Sequence, residues 1–312
     1  MIHNKFLKNN LIVVSASIIG GFLGFLFHYI ISRRLSVGEY GELQSIVSLS
    51  MLFGVFFSAF SYFTIKNSAV FALHNDREGQ ARFLVFLKQK FRLIILAFLT
   101  VFILLVPFIK TWMHLSDYWG IIMVGFSIII SFYASLYNNS LQGWSDFFGL
   151  SIIGLAVVVA KLISGWALAS YSPSAGAVAG SLFFSAAAGW LMARAYFWKK
   201  WKDERILVPD IGWREKYFSG VNFRKSFIKI LIFSFGIAAI NSADIIFIKS
   251  AASAQLAGYY AALSVLGKVI FSLNLAVVSV LFPDACADGY LGKPIRLKSI
   301  LGSYALIFLI SF

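Results

Sequence analysis

Apolar runs long enough to cross a bilayer recur along the whole 312-residue chain. A transmembrane helix needs about 20 apolar residues at about 1.5 Å per residue. Runs that meet this length lie near residues 11–32, 43–65, 90–110, 118–138, 147–170, 175–197, 227–248 and 256–283. A further run begins near residue 299 and reaches Phe312. The pattern predicts an all-α, multi-pass membrane protein.

The pattern of runs restarts after the longest polar connector, residues 199–226. An offset of 217 residues places the first run on the seventh and the second on the eighth. An even number of spans in each unit gives a parallel repeat, related by an axis along the membrane normal. We therefore expect a six-helix N-terminal lobe (1–198), a basic interfacial linker (199–226), and an incomplete, pseudo-symmetric C-terminal lobe (227–312) with two full spans and part of a third.

The short connectors after the first and seventh runs also match each other. Residues 33–46 read RRLSVGEYGELQSI and residues 249–265 read KSAASAQLAGYYAALSV. The two stretches align at Gly41 and Gly258 without a gap. We expect them to form the outer turns of matching helical hairpins.

Charge is sparse and unevenly distributed between the two sides of the predicted membrane. Only 13% of the residues are charged, against about 25% in soluble proteins. One alternate set of connectors, which includes the N-terminus, holds 21 Lys and Arg residues, whereas the other set holds 4. This bias places the N-terminus in the cytoplasm. It also explains the net charge of +14 by topology and attraction to anionic lipids, so we expect no nucleic-acid partner.

Polar residues recur at helical spacing on several runs, so that each set shares one helix face. Such stripes either pack helices together through small and hydroxyl side chains or line a wet cavity. For the first run, with Ser17, Gly21, Gly24 and His28, packing is the favoured interpretation. For the fourth and eighth runs, amides and a lysine favour a cavity. The residues predicted to line it are Ser127, Ser131, Ser135, Asn138 and Gln142 on the fourth run, and Ser264 and Ser272 on the eighth.

Two lysines, Lys161 and Lys268, lie near the middle of their runs, one in each predicted lobe. A charge at the bilayer centre costs about 2.5–3.5 kcal/mol on insertion scales. Neither lysine has an acid within one turn on its own helix. Each therefore either pairs with a residue of another helix or forms a cationic site that faces a cavity. Arg33 and Arg34 lie at the outer mouth, either as interface anchors or as part of the same substrate site.

Three further polar residues are candidates for ion coupling or gating. Asp244 and Asn241 share a face near the outer third of the seventh run, and His28 lies at a similar depth in the first. Asp244 is equally consistent with a structural acid that neutralises an arginine. For His28, a packing residue that makes hydrogen bonds is the favoured interpretation over a proton carrier. We expect no cofactor, although coupling to H⁺ or Na⁺ is compatible with these residues.

Two stretches carry a resemblance to a known family. ISRRLSVGEYGELQSI (31–46), together with NSADIIFIKSAASAQLAGYYAALSVLGKVI (241–270) and VLFP (280–283), resembles the polysaccharide transporters. These are the O-antigen and capsule flippases of the multidrug/oligosaccharidyl-lipid/polysaccharide superfamily. The resemblance implies twelve to fourteen spans in two six-helix lobes around a central cavity, and hence further spans than this chain contains.

The resemblance implies a flippase for undecaprenyl-diphosphate-linked oligosaccharide in surface polysaccharide synthesis. Its partners would be membrane lipids, a polysaccharide polymerase and a chain-length regulator, and it would act as a monomer in the inner membrane. The mid-membrane lysines would bind the diphosphate.

Two alternatives remain at the sequence level. A drug or cation antiporter of the same superfamily should have an acidic cavity, but Asp244 is the only clearly intramembrane acid. A membrane glycosyltransferase or glycan polymerase needs carboxylates on sizeable external loops. The predicted external connectors are short, and their clear acids are Glu39, Glu42 and Asp117. We therefore expect a transporter and not an enzyme.

Overall fold

The computed structural model describes residues 2–201 and 223–292, and the regular structure in these ranges is entirely helical. The linker residues 202–222 and the run that begins near residue 299 lie outside the described residues. The helices are α1 (Ile2–Ser32), α2 (Val37–Leu73), α3 (Arg77–Trp112), α4 (Trp119–Gly143), α5 (Phe147–Tyr171), α6 (Ala175–Trp201), α7 (Phe223–Ala251) and α8 (Ala254–Tyr290). The all-α prediction is confirmed.

Most of these helices are long and apolar enough to cross a membrane. In the described ranges, six contain such a segment: Leu11–Ser32, Arg77–Trp112, Trp119–Gly143, Phe147–Tyr171, Ala175–Lys200 and Ile228–Ala251. The two parts of α2, Val37–Val55 and Phe60–Leu73, meet at an angle of 51° and together make a further candidate span. The chain is therefore a multi-pass membrane protein.

Serine caps begin α2 and α8 at equivalent positions of the predicted repeat. The Ser36 hydroxyl accepts a hydrogen bond from the backbone N–H of Glu39 at 3.3 Å, and the Glu39 carboxylate accepts one from the Ser36 N–H at 3.0 Å. This is a capping box, which satisfies two donors at the start of the helix. Ser253 caps α8 in the same way, accepting from Leu256 N–H at 3.3 Å. Both helices have 37 residues, so they begin and end at the offset of 217.

The turns before α3 and α5 share a second local design. Asn75 and Ser145 adopt left-handed backbone conformations, with φ of 51° and 55°, as is common just after a helix end. The next residues, Asp76 and Asp146, cap the following helices and accept hydrogen bonds from the backbone N–H three residues on, at 2.7 and 3.2 Å. Each turn therefore ends one helix and starts the next within a few residues.

A cluster of buried aromatic side chains lies where α2, α3 and α4 meet. Phe132 of α4 is 1% exposed and contacts three phenylalanine rings, with centroids 4.9 to 6.0 Å away. These rings belong to Phe57, Phe60 and Phe91. Such aromatic contacts, mostly edge-on, stabilise the lobe by about 0.5–1.5 kcal/mol per pair beyond the area they bury.

Helices α2 and α8 touch backbone to backbone at the two glycines that aligned in the sequence. A Cβ added at Gly41 would lie 2.7 Å from the nitrogen of Gly258 and 2.8 Å from its Cα. In a repeat related by a two-fold axis, two equivalent residues can touch each other only close to that axis. The contact between Gly41 and Gly258 therefore marks the position of the axis expected for the predicted repeat. The same helices also meet further along their length, through the ring pairs Tyr62–Phe282 and His74–Tyr290.

Candidate functional site

A cavity of about 550 Å³ lies between α1, α2 and α5, and Val265 of α8 also reaches it. Two ionisable side chains line it, His28 from α1 and Lys161 from α5, together with the amide of Gln44 from α2. Among the described residues that line the cavity, none is an aspartate or a glutamate. The ionisable residues of the cavity are therefore basic types only, and the cavity lies between helices that are long and apolar enough to cross a membrane.

The face of α1 provides most of the space. Ser17, Gly21, Gly24 and His28, the stripe predicted on the first run, all line the cavity. A Cβ added at Gly21 or Gly24 would meet no atom within 4 Å. These positions therefore leave open volume where larger residues would place side chains. Packing was the interpretation favoured from the sequence, but this stripe faces a cavity.

The ammonium of Lys161 is held against an aromatic ring. Its Nζ atom lies 4.5 Å from the ring centroid of Phe27, which is 2% exposed. Gly165, one turn along α5, leaves room for that ring, because an added Cβ would collide with it. A cation–π contact offsets only part of the hydration free energy that a charge loses when it leaves water.

Within residues 2–201 and 223–292, no ion pair or hydrogen bond to the Lys161 ammonium is found. The sequence left open whether this lysine pairs with an acid on another helix, and the described helices provide no such acid. The charge of Lys161 therefore remains available at the cavity wall.

The ring of His28 is fixed by two groups from α2. The Tyr40 hydroxyl lies 3.2 Å from Nδ1, and the amide nitrogen of Gln44 lies 3.1 Å from the same atom. Gln44 is 3% exposed, so its amide has little freedom to turn elsewhere. These contacts orient the ring while leaving Nε2 without a described partner.

Arg33 and Arg34 follow the C-terminal end of α1 and do not line this cavity. The guanidinium of Arg33 lies 4.7 Å from the ring centroid of Tyr29. That of Arg34 lies 5.8 Å from the ring of Trp166 and donates a hydrogen bond to the hydroxyl of Ser170. Contacts of arginine with Tyr and Trp at the helix ends fit the interface-anchor interpretation.

The polar stripe predicted on the fourth run does not reach the cavity. The hydroxyls of Ser127 and Ser135 donate to carbonyls of their own helix at 2.8 and 2.7 Å, while Ser131 is exposed. Asn138 has a buried Oδ1 with no hydrogen-bond partner in the described structure, and Gln142 lies in the last turn of α4. The residues share a helix, but they do not line the cavity.

Asp244 connects α7 to α8 outside the cavity. Its Oδ2 atom accepts hydrogen bonds from the Tyr260 hydroxyl at 3.0 Å and from the Ser264 hydroxyl at 3.4 Å. Asn241 donates instead to the carbonyl of Ile237 on its own helix at 2.9 Å. The structure therefore brings Asp244 and Ser264 together and separates both from His28.

Two of the predicted site residues, Lys268 and Ser272, lie on α8, but their side chains fall outside the described residues. The prediction of a second cationic group in the C-terminal lobe stays a prediction.

Sequence reasoning missed the contribution of α2 to the cavity. Gln44, Val47, Ser48 and Met51 line it at spacings of three, four and seven residues. That spacing marks one helix face, but only two of the four side chains are polar. Ser50, on the same helix, does not line the cavity, and its hydroxyl donates to the carbonyl of Val47 at 2.7 Å.

The three acids on the connectors predicted to be external hold helix ends and turns. Glu39 belongs to the capping box of α2, and Asp117 accepts from the N–H of Gly120 at 3.2 Å. Glu42 is 6% exposed and accepts from both the N–H and the hydroxyl of Ser116, at 2.8 and 2.7 Å. Each acid therefore has a structural partner.

Comparison of the chain with models of protein families, with curated proteins and with solved structures returns no match. What the molecule itself establishes is an all-α, multi-pass membrane protein with a cavity between its described helices that is lined by several glycines and by two residues of basic type, His28 and Lys161.

Proposed function

We propose that the protein is a flippase that moves a polyprenyl-diphosphate-linked oligosaccharide across the cytoplasmic membrane for surface polysaccharide synthesis. One observation carries the proposal: the ammonium of Lys161 faces a cavity between membrane-spanning helices and has no acidic partner in the described structure. In this proposal the N-terminus faces the cytoplasm, as the distribution of basic residues between the connectors predicts.

The charge of the cavity supports an anionic substrate. An unpaired charge among membrane-spanning helices is costly, and intramembrane ionisable residues are usually functional. A diphosphate would offset this cost, because it offers strong acceptors to a compact cation. A cationic drug would instead be repelled by Lys161. The cavity therefore favours the flippase over the drug or cation antiporter.

The helix arrangement supports transport over catalysis. The α2–α8 contact at Gly41 and Gly258 joins the two predicted lobes at equivalent positions, as expected for lobes that rock against each other around a shared site. A glycosyltransferase or polymerase would need free carboxylates at the outer surface. Glu39, Glu42 and Asp117 instead bond to helix ends and turns. The lipid-linked glycan itself is suggested by the resemblance of residues 31–46 and 241–270.

The proposal is tested in proteoliposomes that contain a polyprenyl-diphosphate-linked oligosaccharide. An impermeant glycosidase added outside cleaves only glycans in the outer leaflet, so flipping appears as cleavage beyond that pool. We expect Lys161→Gln to slow flipping about tenfold, the effect of losing an interaction of about 1.4 kcal/mol. Lys161→Arg should retain part of the rate, because the charge survives while its geometry changes.

Lys110→Gln provides the matched control. Lys110 also contacts an aromatic ring, with its Nζ atom 4.2 Å from the centroid of Tyr118, but it does not line the cavity. This variant should flip at the wild-type rate. The proposal fails if Lys161→Gln also flips at that rate with equal incorporation, or if the wild-type protein moves a cationic dye and not the glycolipid.

A further inference from the structure

The two contacts at Nδ1 of His28 determine where the ring carries its proton. The amide nitrogen of Gln44 can only donate a hydrogen bond, and it lies 3.1 Å from Nδ1. With the amide in this position Nδ1 accepts, and the Tyr40 hydroxyl 3.2 Å away can donate to the same atom. A protonated ring would turn an N–H towards the amide hydrogens of Gln44. The geometry therefore selects the neutral tautomer with its hydrogen on Nε2.

The ring of His28 belongs to the cavity wall. His28 lines the cavity, and its Nε2 has no described hydrogen-bond partner. The Phe27 ring stands edge-on to His28, with centroids 5.2 Å apart, and the same Phe27 ring supports the Lys161 ammonium at 4.5 Å.

We infer that the Nε2–H of His28 and the ammonium of Lys161 form one anion subsite, which binds phosphate oxygens of a diphosphate. This inference rests on the proposed function and adds to it a second donor with a fixed direction. A lysine attracts an anion as a point charge on a flexible chain. Because Tyr40 and Gln44 hold the His28 ring, its Nε2–H donates in one fixed direction and therefore positions the headgroup within the cavity.

The test measures the tautomer and the binding separately. In the full chain reconstituted in nanodiscs, ¹⁵N-labelled histidine gives signals from only four residues, and the spectrum of His28→Gln assigns the one of interest. We expect the Nε2–H form of His28. A ring that is mainly in the Nδ1–H form would overturn the inference.

Binding is measured with farnesyl diphosphate, inorganic pyrophosphate and farnesol as probes. His28→Leu, which removes the donor, should weaken farnesyl diphosphate binding about tenfold, as expected for a hydrogen bond to a charged acceptor. His28→Gln keeps an N–H donor of similar reach and should stay within about threefold of the wild type. Size-exclusion profiles and unfolding temperatures of both variants establish that they are folded.

The outcomes separate this inference from the function on which it rests. If Lys161→Gln loses binding while His28→Leu binds as the wild type does, the role of His28 is wrong and the flippase proposal stands. If inorganic pyrophosphate binds as tightly as farnesyl diphosphate with the same dependence on His28, the subsite is supported and a lipid-linked substrate is not. If farnesyl diphosphate binds no better than farnesol, both proposals fail.

Discussion

Adding one methyl group at Gly41 should push the two predicted lobes apart where they touch. In Gly41→Ala the new Cβ would lie 2.7 Å from the nitrogen and 2.8 Å from the Cα of Gly258, and ordinary contact begins at 3.4 Å. The backbones must therefore separate by about 0.6 to 0.7 Å. No side-chain rotation can relieve this overlap, because the opposing atoms belong to the backbone of α8.

The cost follows from overpacking. Inserting a methyl group into a tightly packed contact typically destabilises a protein by about 1–3 kcal/mol. Replacing glycine by alanine within a helix also stabilises the protein by up to about 1 kcal/mol. A control substitution at a glycine with free space around it shows this stabilisation without the overpacking. Gly236→Ala on α7 is such a control, because its Cβ would meet nothing within 4 Å. The two variants should therefore differ by about 1–3 kcal/mol.

The measurement is thermal unfolding of the purified variants in one detergent, followed by intrinsic fluorescence and by loss of the monodisperse peak. Gly41→Ala should unfold at a lower temperature than the wild type, and Gly236→Ala at the same temperature or higher. Gly41→Val should be worse than Gly41→Ala, since it adds further atoms to the same overlap. Equal unfolding temperatures for Gly41→Ala and Gly236→Ala would refute the backbone contact between α2 and α8.

Three further results are expected. Cysteines at Gly38 and Ala254, in a background without the native cysteine, should form a disulfide under mild oxidation, seen as a gel shift that reducing agent abolishes. The reason is that the two Cβ positions lie 3.4 Å apart, near the usual range of about 3.5–4.5 Å. Asp146→Ala should destabilise the protein by about 1–3 kcal/mol in the same unfolding assay, because Asp146 caps α5 and accepts from two α6 side chains. An impermeant maleimide should label a cysteine placed at Ser172 and not one placed at Asp203, and the reverse would overturn the orientation.

Much of the fold could be predicted from the sequence, because a membrane-spanning helix must satisfy all of its backbone groups internally. The apolar runs located the spans, but they underestimated the helices. The second run was predicted at 43–65, whereas α2 extends over Val37–Leu73. Hydropathy detects the part of a helix inside the lipid. The true start depends on the capping box of Ser36 and Glu39, which lies among polar residues.

The candidate site could be predicted only in part. The Ser17–His28 stripe was identified, and so was Lys161, but periodicity could not tell a packed face from a cavity face. Hydroxyls on a buried helix can donate to their own helix carbonyls, as Ser127 does, and then need no water. Gln44 was missed because its role depends on contact with a ring of another helix. Such contacts between helices leave no periodic signal in one sequence.

The glycines of α1 and α5 make the cavity adjustable in small steps. Gly21, Gly24 and Gly154 line the cavity, and a methyl group at any of them would project into open volume without touching a neighbour within 4 Å. A single substitution to alanine would therefore reduce the cavity while leaving the contacts between helices intact. The volume of the cavity can thus change through a few glycine codons, without any change of fold.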